Sequence, residues 1–286
     1  MKKLTLVIII LINSLAIPAH PGIGIVMDSK GNIYYTDLMH VWKITPSGKK
    51  SIAVRAVHTH ELYIDANDNL YGEHLWYEGE RTGKWGHRVW KLRQDGKLTD
   101  IIASREGFRE DYGDFAFVQD RQGSMYWAER GDTTLIHKRM ADGSRYVVAK
   151  ACFDDVRWMA VTPAGTIYLT DLYDVIRINN DGQMHVLVEN LPGWNVKRVF
   201  GPDRHAVMGL WTDRQNNVYA AIHADRVVKK ISPNGKAEII ARSYFPWSPT
   251  GGLIASNGDL WILESSFTNA VRVRRIDKNG TSTVFE

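Results

Sequence analysis

The chain repeats one short phrase: Ile33-Tyr34-Tyr35-Thr36-Asp37, Leu70-Tyr71-Gly72-Glu73-His74, Met125-Tyr126-Trp127-Ala128-Glu129, Ile167-Tyr168-Leu169-Thr170-Asp171, Val218-Tyr219-Ala220-Ala221-Ile222 and Leu260-Trp261-Ile262-Leu263-Glu264. Each copy sets an aromatic after an apolar residue, adds two mostly apolar positions, and usually ends on an acid. A tight-turn signal precedes every copy: Lys30-Gly31-Asn32, Asn67-Asp68-Asn69, Gln122-Gly123-Ser124, Ala164-Gly165-Thr166, Gln215-Asn216-Asn217 and Asn257-Gly258-Asp259. Gly and Asn supply the positive φ that hairpin turns require. Short apolar runs such as Gly24-Ile25-Val26-Met27 and Gly252-Leu253-Ile254 stand before the turns, so each repeat opens with a β-hairpin.

A second hairpin follows the phrase. Val41-Trp42-Lys43-Ile44 leads to Pro46-Ser47-Gly48, Val89-Trp90-Lys91-Leu92 to Asp95-Gly96, and Val175-Ile176-Arg177-Ile178 to Asp181-Gly182. Apolar residues resume after each glycine, as at Ile101-Ile102 and Ile239-Ile240. Four short strands per unit, repeated in units of about 38 to 54 residues, predict a propeller. The fold class is therefore all-β: a six-bladed β-propeller with four antiparallel strands per blade. The blades fall at residues 20–56, 57–103, 112–150, 155–189, 204–241 and 248–286. A helical solenoid would need a 3.6-residue period, which these runs lack.

The Tyr-Tyr-Thr-Asp, Tyr-Leu-Thr-Asp and Tyr-Trp-Ala-Glu segments resemble the YWTD repeat. The order apolar–Asp–turn–Gly-Asn–Ile-Tyr resembles NHL repeats and the wider group that holds SMP-30/gluconolactonase and strictosidine-synthase-like proteins. The resemblance runs from about Pro21 to the end of the chain. It implies the propeller, and it points to a lactonase-like activity only at the level of the group. That group holds one divalent metal with an early acid, an asparagine and an aspartate. Its Glu-Gly-Pro and Pro-Asn-Gly motifs are not placed on this chain, so those ligands are not carried over.

The N-terminus reads differently. Lys2-Lys3 is followed by an apolar run from Leu4 to Ile12, broken only by Thr5, and by small residues up to Ala19. This is the pattern of a secretory signal peptide over residues 1–19, with the propeller over 20–286 and export to the periplasm or the extracellular space. An uncleaved anchor is the other reading. No later run approaches membrane-spanning length. Cys152 is the single cysteine, which excludes an intramolecular disulfide and reads as a small buried hydrophobe. Removing Lys2 and Lys3 from the 36 basic residues leaves 34 against 32 acidic ones. The charges are interspersed, with no basic block for nucleic acid.

Strand order also places the chemistry. The first strand of a blade starts, and the second ends, on the same face of the disc, around the mouth of the central channel. Second strands bring Asp37, Glu73, His74, Glu129, Asp171, His223 and Glu264 to that face. The approaches to first strands bring His58, His60, Glu61, Asp114, Arg157, His205 and Thr250. Imidazoles beside carboxylates suit one divalent metal ion or acid–base work without one. The candidate catalytic residues are Glu73 and Glu129, and the candidate metal ligands are His60, His74, His205 and His223. For Asp37, Asp171 and Glu264 the competing reading is structural, as acceptors of backbone N–H groups or partners of the next blade.

Blade 2 breaks the pattern most. Residues 73–88 lie between its second and third strands and read as a lid or recognition loop, with Trp76, Tyr77 and Trp85 as ligand contacts. Trp194 and Trp247, in two long connections between blades, are further aromatic candidates. With His58, Glu61, Asp114, Arg157, Asp171 and Glu264 they complete the expected ligand-binding set. Asp65-Ala66-Asn67-Asp68-Asn69 begins like a calcium loop, but its twelfth position is Trp76 and the segment already serves as a hairpin turn. There is no Gly-x-Ser-x-Gly elbow, phosphate-binding glycine loop or pair of CxxC motifs. Two functions stay open: a metal-assisted hydrolase or lactonase-like enzyme, and a non-catalytic NHL-like propeller that binds a small ligand or a protein partner.

Overall fold

A computed structural model describes residues 21–107, 115–193 and 203–286. Among these, 24 strands form six four-stranded antiparallel sheets, each made of consecutive strands, so the chain is a six-bladed propeller. The blades are β1–β4 (Ile25–Met27, Ile33–Thr36, His40–Ile44, Lys50–Arg55), β5–β8 (Leu62–Ile64, Leu70–Tyr77, Trp85–Leu92, Leu98–Glu106) and β9–β12 (Val118–Gln119, Met125–Glu129, Thr134–Arg139, Arg145–Ala151). The other three are β13–β16 (Val156–Val161, Ile167–Asp171, Asp174–Ile178, Met184–Val188), β17–β20 (Val207–Thr212, Val218–Ile222, Val227–Ile231, Ala237–Arg242) and β21–β24 (Trp247–Ile254, Leu260–Ser266, Val271–Ile276, Ser282–Phe285).

The repeated phrase has a physical cause that the sequence reading did not reach. In four blades the turn begins with an aspartate whose carboxylate accepts N–H bonds from two and four residues on, as Asp28 does from Lys30 and Asn32. The same carboxylate accepts the hydroxyl of the tyrosine six residues later: Tyr34 to Asp28 at 3.2 Å, Tyr71 to Asp65 at 2.8 Å, Tyr126 to Asp120 at 2.8 Å and Tyr219 to Asp213 at 2.7 Å. The aromatic therefore locks the turn to its own second strand. One residue of each first hairpin takes positive φ: Gly31, Asp68, Gly123, Gly165, Asn216 and Gly258.

Apolar side chains on each sheet pack against the next blade. Tyr34, Val41 and Val54 of blade 1 meet Leu62, Leu70 and Trp90 of blade 2. The ring closes by packing of the first blade on the last, with Ile25 and Tyr35 against Trp261, Leu263 and Val273. That contact is tight at the channel wall, where a Cβ on Gly251 would lie 2.2 Å from the carbonyl oxygen of Ile23.

Two expectations change. Residues 73–88 are not a free loop. β6 and β7 stay paired out to Tyr77 and Trp85, and only residues 78–84 turn. Gly86 allows this, because Trp76 and the carbonyl of Arg105 occupy the place of its missing side chain. Cys152 is exposed rather than buried, since it follows the end of β12 in the connection to β13.

Candidate functional site at the channel mouth

A cavity of about 250 Å³ occupies the axis, walled by the first strands of all six blades. Its walls are mostly glycine and aliphatic, and Glu61 is the only acidic or basic side chain lining it among the described residues. On the Glu61 side it opens to a slot of about 120 Å³ between blades 3 and 4. On the opposite face it opens to a funnel of about 570 Å³. The three hollows adjoin through shared walls, and the acidic side of the central one is the Glu61 end, at the blade 2 mouth.

The segment that carries Glu61 is pinned from both sides. The carbonyl of His60 accepts the N–H groups of Ile23 and Gly24 at 2.9 and 2.8 Å. The carbonyl of Thr59 accepts the hydroxyl of Thr36 at 2.6 Å, and the Thr59 hydroxyl donates to the carbonyl of Glu73. The backbone N–H of His58 donates to Nδ1 of His74 at 2.9 Å, and that of Leu75 to the carbonyl of His58 at 3.1 Å. Residues 58–60 are therefore fixed to blades 1 and 2 together, as a preorganised site requires.

Register explains which carboxylates meet. Leu62 pairs with Gly72, so one step back Glu61 stands opposite Glu73. Glu73 in turn pairs with Val89, which puts His87 on the same face two residues away along β7. Glu73 is buried, with Oε1 at 3.3 Å from Nδ1 of His60 and Oε2 at 3.4 Å from Nε2 of His87. Burial pushes its proton affinity up, but hydrogen bonds from the two imidazoles outweigh this and hold Glu73 ionised, down to about 2. Glu61 has no hydrogen-bond partner for its carboxyl among the described residues. Burial first, and then the charge of Glu73, raise it from 4.5 to about 7, against the opposing pull of His60 and Arg130. The two facing carboxyl groups have been driven apart.

The other expected residues divide into neighbours of this pair and structural groups. His58 stacks edge-on to His60 at 4.8 Å, and burial lowers its affinity for a proton. Arg157 lines the slot beside Glu61, with its Nε donating to Asp155 at 2.8 Å. Glu129 is exposed and pairs with His137 at 2.7 Å, on the outer side of its sheet from β11. Asp171 accepts the backbone N–H of Asp155 at 2.8 Å. Glu264 is fully buried between Arg272 (2.7 Å), Arg274 (2.9 Å) and the hydroxyl of Ser243 (2.5 Å), so its role is structural. Asp37 caps the turn at Met39 and His40 and receives Nε1 of Trp42 at 2.7 Å. Trp247 starts β21 beneath the Arg272 guanidinium, 4.2 Å from its ring centre. Trp76 donates to Ser104 at 2.9 Å, while Tyr77 and Trp85 are exposed on the blade 2 hairpin. Thr250 is buried inside β21. Asp114 and Trp194 lie outside the described residues.

The expected metal set is not assembled. Among the described residues no three His, Cys, Asp or Glu side chains come together to hold an ion. His74 spends Nδ1 as an acceptor from His58, and His223 spends Nδ1 on the carbonyl of Pro249 at 3.3 Å. His60 uses Nδ1 on Glu73, and His205 sits at the entry to blade 5, three blades from His60, with its backbone held by Asp203. A Pro-Asn-Gly tripeptide does occur, at Pro233-Asn234-Gly235, but it forms the turn from β19 to β20 on the opposite face. The donors among the described residues do not fit a resident divalent ion. Sequence reading missed His87 and Arg130. His87 was legible only by extending the β6–β7 pairing through a stretch that looked like a loop, and Arg130 by reading one residue past Glu129.

No family model matches the sequence, and no curated protein matches it. Solved structures do share its shape. A streptogramin B lyase is 15% identical with a TM-score of 0.56, over 95% of this chain and 84% of that one. A gluconolactonase from Xanthomonas campestris is 12% identical with a TM-score of 0.56, over 84% and 82%. A calcium-binding protein, regucalcin, from Agrobacterium tumefaciens is 15% identical with a TM-score of 0.53, over 87% and 84%. The chain thus has the six-bladed propeller architecture found in gluconolactonase-like proteins.

Proposed function

We propose that the chain opens small esters or lactones at the blade 2 mouth of the channel, with Glu61 as general base. The observation that carries this is the facing pair Glu61–Glu73. Glu73 is held ionised by His60 and His87, and burial, followed by the charge of Glu73, raises Glu61 to about 7, where a carboxyl both takes and returns a proton at neutral pH. In the reaction, ionised Glu61 takes a proton from a water molecule as that water's oxygen bonds to the carbonyl carbon. The carbonyl π pair moves onto its oxygen. It then returns, the ring C–O bond breaks, and Glu61 gives its proton to the leaving oxygen, releasing a hydroxy acid. No step is routed through a metal, because the donors among the described residues do not fit one. A gluconolactonase among the structures with this fold is consistent with a lactone substrate. The basic start and apolar run of residues 2–12 support an exported enzyme.

The test is turnover of γ-butyrolactone, δ-valerolactone and phenyl acetate by the purified protein. We expect measurable hydrolysis, and a fall in kcat/KM of about 100-fold or more in Glu61→Gln. No hydrolysis of any of the three, or full activity in the variant, overturns the proposal. A second reading rests on Tyr244, Phe245 and Phe267, exposed on this same face, with Phe245 stacked on Phe267 at 5.4 Å. They favour a non-catalytic recognition surface, for which a silent substrate panel would be the first support.

A further inference from the structure

The slot beside Glu61 has a composition of its own. Phe117, Trp127 and Met159 make apolar walls, and Arg130 and Arg157 are the two cations that line it. Arg157 enters β13 next to the mouth. Asp155 engages its Nε, leaving the terminal amino groups of the guanidinium for a ligand. Arg130 follows the end of β10, exposed, and close enough for its charge to act on Glu61. Guanidinium groups prefer planar, two-oxygen anions that accept paired hydrogen bonds. A slot of about 120 Å³ admits such a group on a short stem.

Building on the ester- or lactone-opening reading, we infer that this slot is a carboxylate subsite, so that the substrate is an acidic lactone or ester whose free carboxylate sits between Arg130 and Arg157 while its carbonyl lies against Glu61. The charged groups acting on Glu61 are Glu73, His60 and Arg130. A bound carboxylate offsets the arginine charge, which otherwise favours ionised Glu61. The pH inflection of kcat for an acidic lactone, which reports the enzyme–substrate complex, therefore lies above that for a neutral one.

Two measurements on the full chain test this. The first compares kcat/KM for γ-butyrolactone and for its ring 3-carboxylate, in wild type, Arg130→Ala and Arg130→Lys. We expect a preference of about tenfold or more for the carboxylated ring, lost in Arg130→Ala and only partly restored by lysine. Equal use of both rings overturns the subsite and leaves the lactone-opening reading intact. The second follows Trp fluorescence on titration with succinate and with methyl phosphate at fixed ionic strength, and does not depend on turnover. Saturable succinate binding, weakened about tenfold by Arg130→Ala, supports the subsite even if the protein turns over neither lactone. No saturation by succinate, or tighter binding of methyl phosphate, overturns it.

Discussion

Replacing Glu61 by glutamine should make the protein more resistant to alkaline conditions. A carboxyl raised from 4.5 in the unfolded chain to about 7 in the folded one stabilises the fold below the unfolded value. That contribution is lost as pH rises through about 7. A shift of this size corresponds to about 3 kcal/mol at 1.36 kcal/mol per tenfold change in proton affinity. Glu61 keeps partial contact with solvent in the channel, so about 2 kcal/mol is the figure to expect. Glutamine keeps the shape and cannot ionise, so the variant escapes the loss. Urea unfolding of both proteins, followed by Trp fluorescence at about pH 4.5 and about pH 8.5, isolates the effect, because all other titrating groups are shared. The difference between variant and wild type should move by about 2 kcal/mol in favour of the variant between the two conditions. A difference that does not change with pH would refute the reasoning from burial and from the charge of Glu73.

Three other outcomes follow from neighbouring contacts. Glu73→Gln removes the charge that faces Glu61, so the inflection of kcat/KM should move to lower pH. Because Glu73 is held down to about 2, the stability it lends wild type is present above about 4.5 and drains away as pH falls towards 2, a slope the variant should lack in urea titrations. Glu264→Gln leaves Arg272 and Arg274 without their buried carboxylate, and should cost about 3 to 5 kcal/mol in chemical denaturation while leaving succinate binding unchanged. Gly251→Ala drives a Cβ into the carbonyl of Ile23 where the last blade meets the start of the first. It should lower stability by about 1 to 3 kcal/mol, measurable as a shift in the urea midpoint.

The fold was legible because its unit is local. Every blade restates one turn, one aromatic and one pair of hairpins, and the Asp–Tyr bond that makes this useful spans only six residues. Half of the site was legible for a related reason. Strand order alone puts Glu61 and His60 at the mouth, and one step of register sets Glu61 against Glu73. The rest depends on what each side chain does with its polar atoms, which composition does not reveal. His74 and His223 looked like metal ligands, yet each commits a ring nitrogen to backbone. Glu264 stood among the expected ligand contacts, with a structural role as the competing reading, and two arginines from β23 close on it. His87 was hidden because its neighbourhood of glycines and charges resembles a loop. There the β6–β7 ladder continues because Trp76 fills the space left by Gly86.

The proposed chemistry turns on one proton at the channel mouth. The pH dependence of kcat/KM for γ-butyrolactone, measured from about pH 5 to about pH 9 in wild type and in Glu61→Gln, tests it most directly. Wild type should show activity that rises through a single ionisation near 7 and then levels. The glutamine variant should show a rate lower by about 100-fold or more, without that ionisation. The same inflection at an undiminished rate in the variant would contradict the assignment of Glu61 as the base.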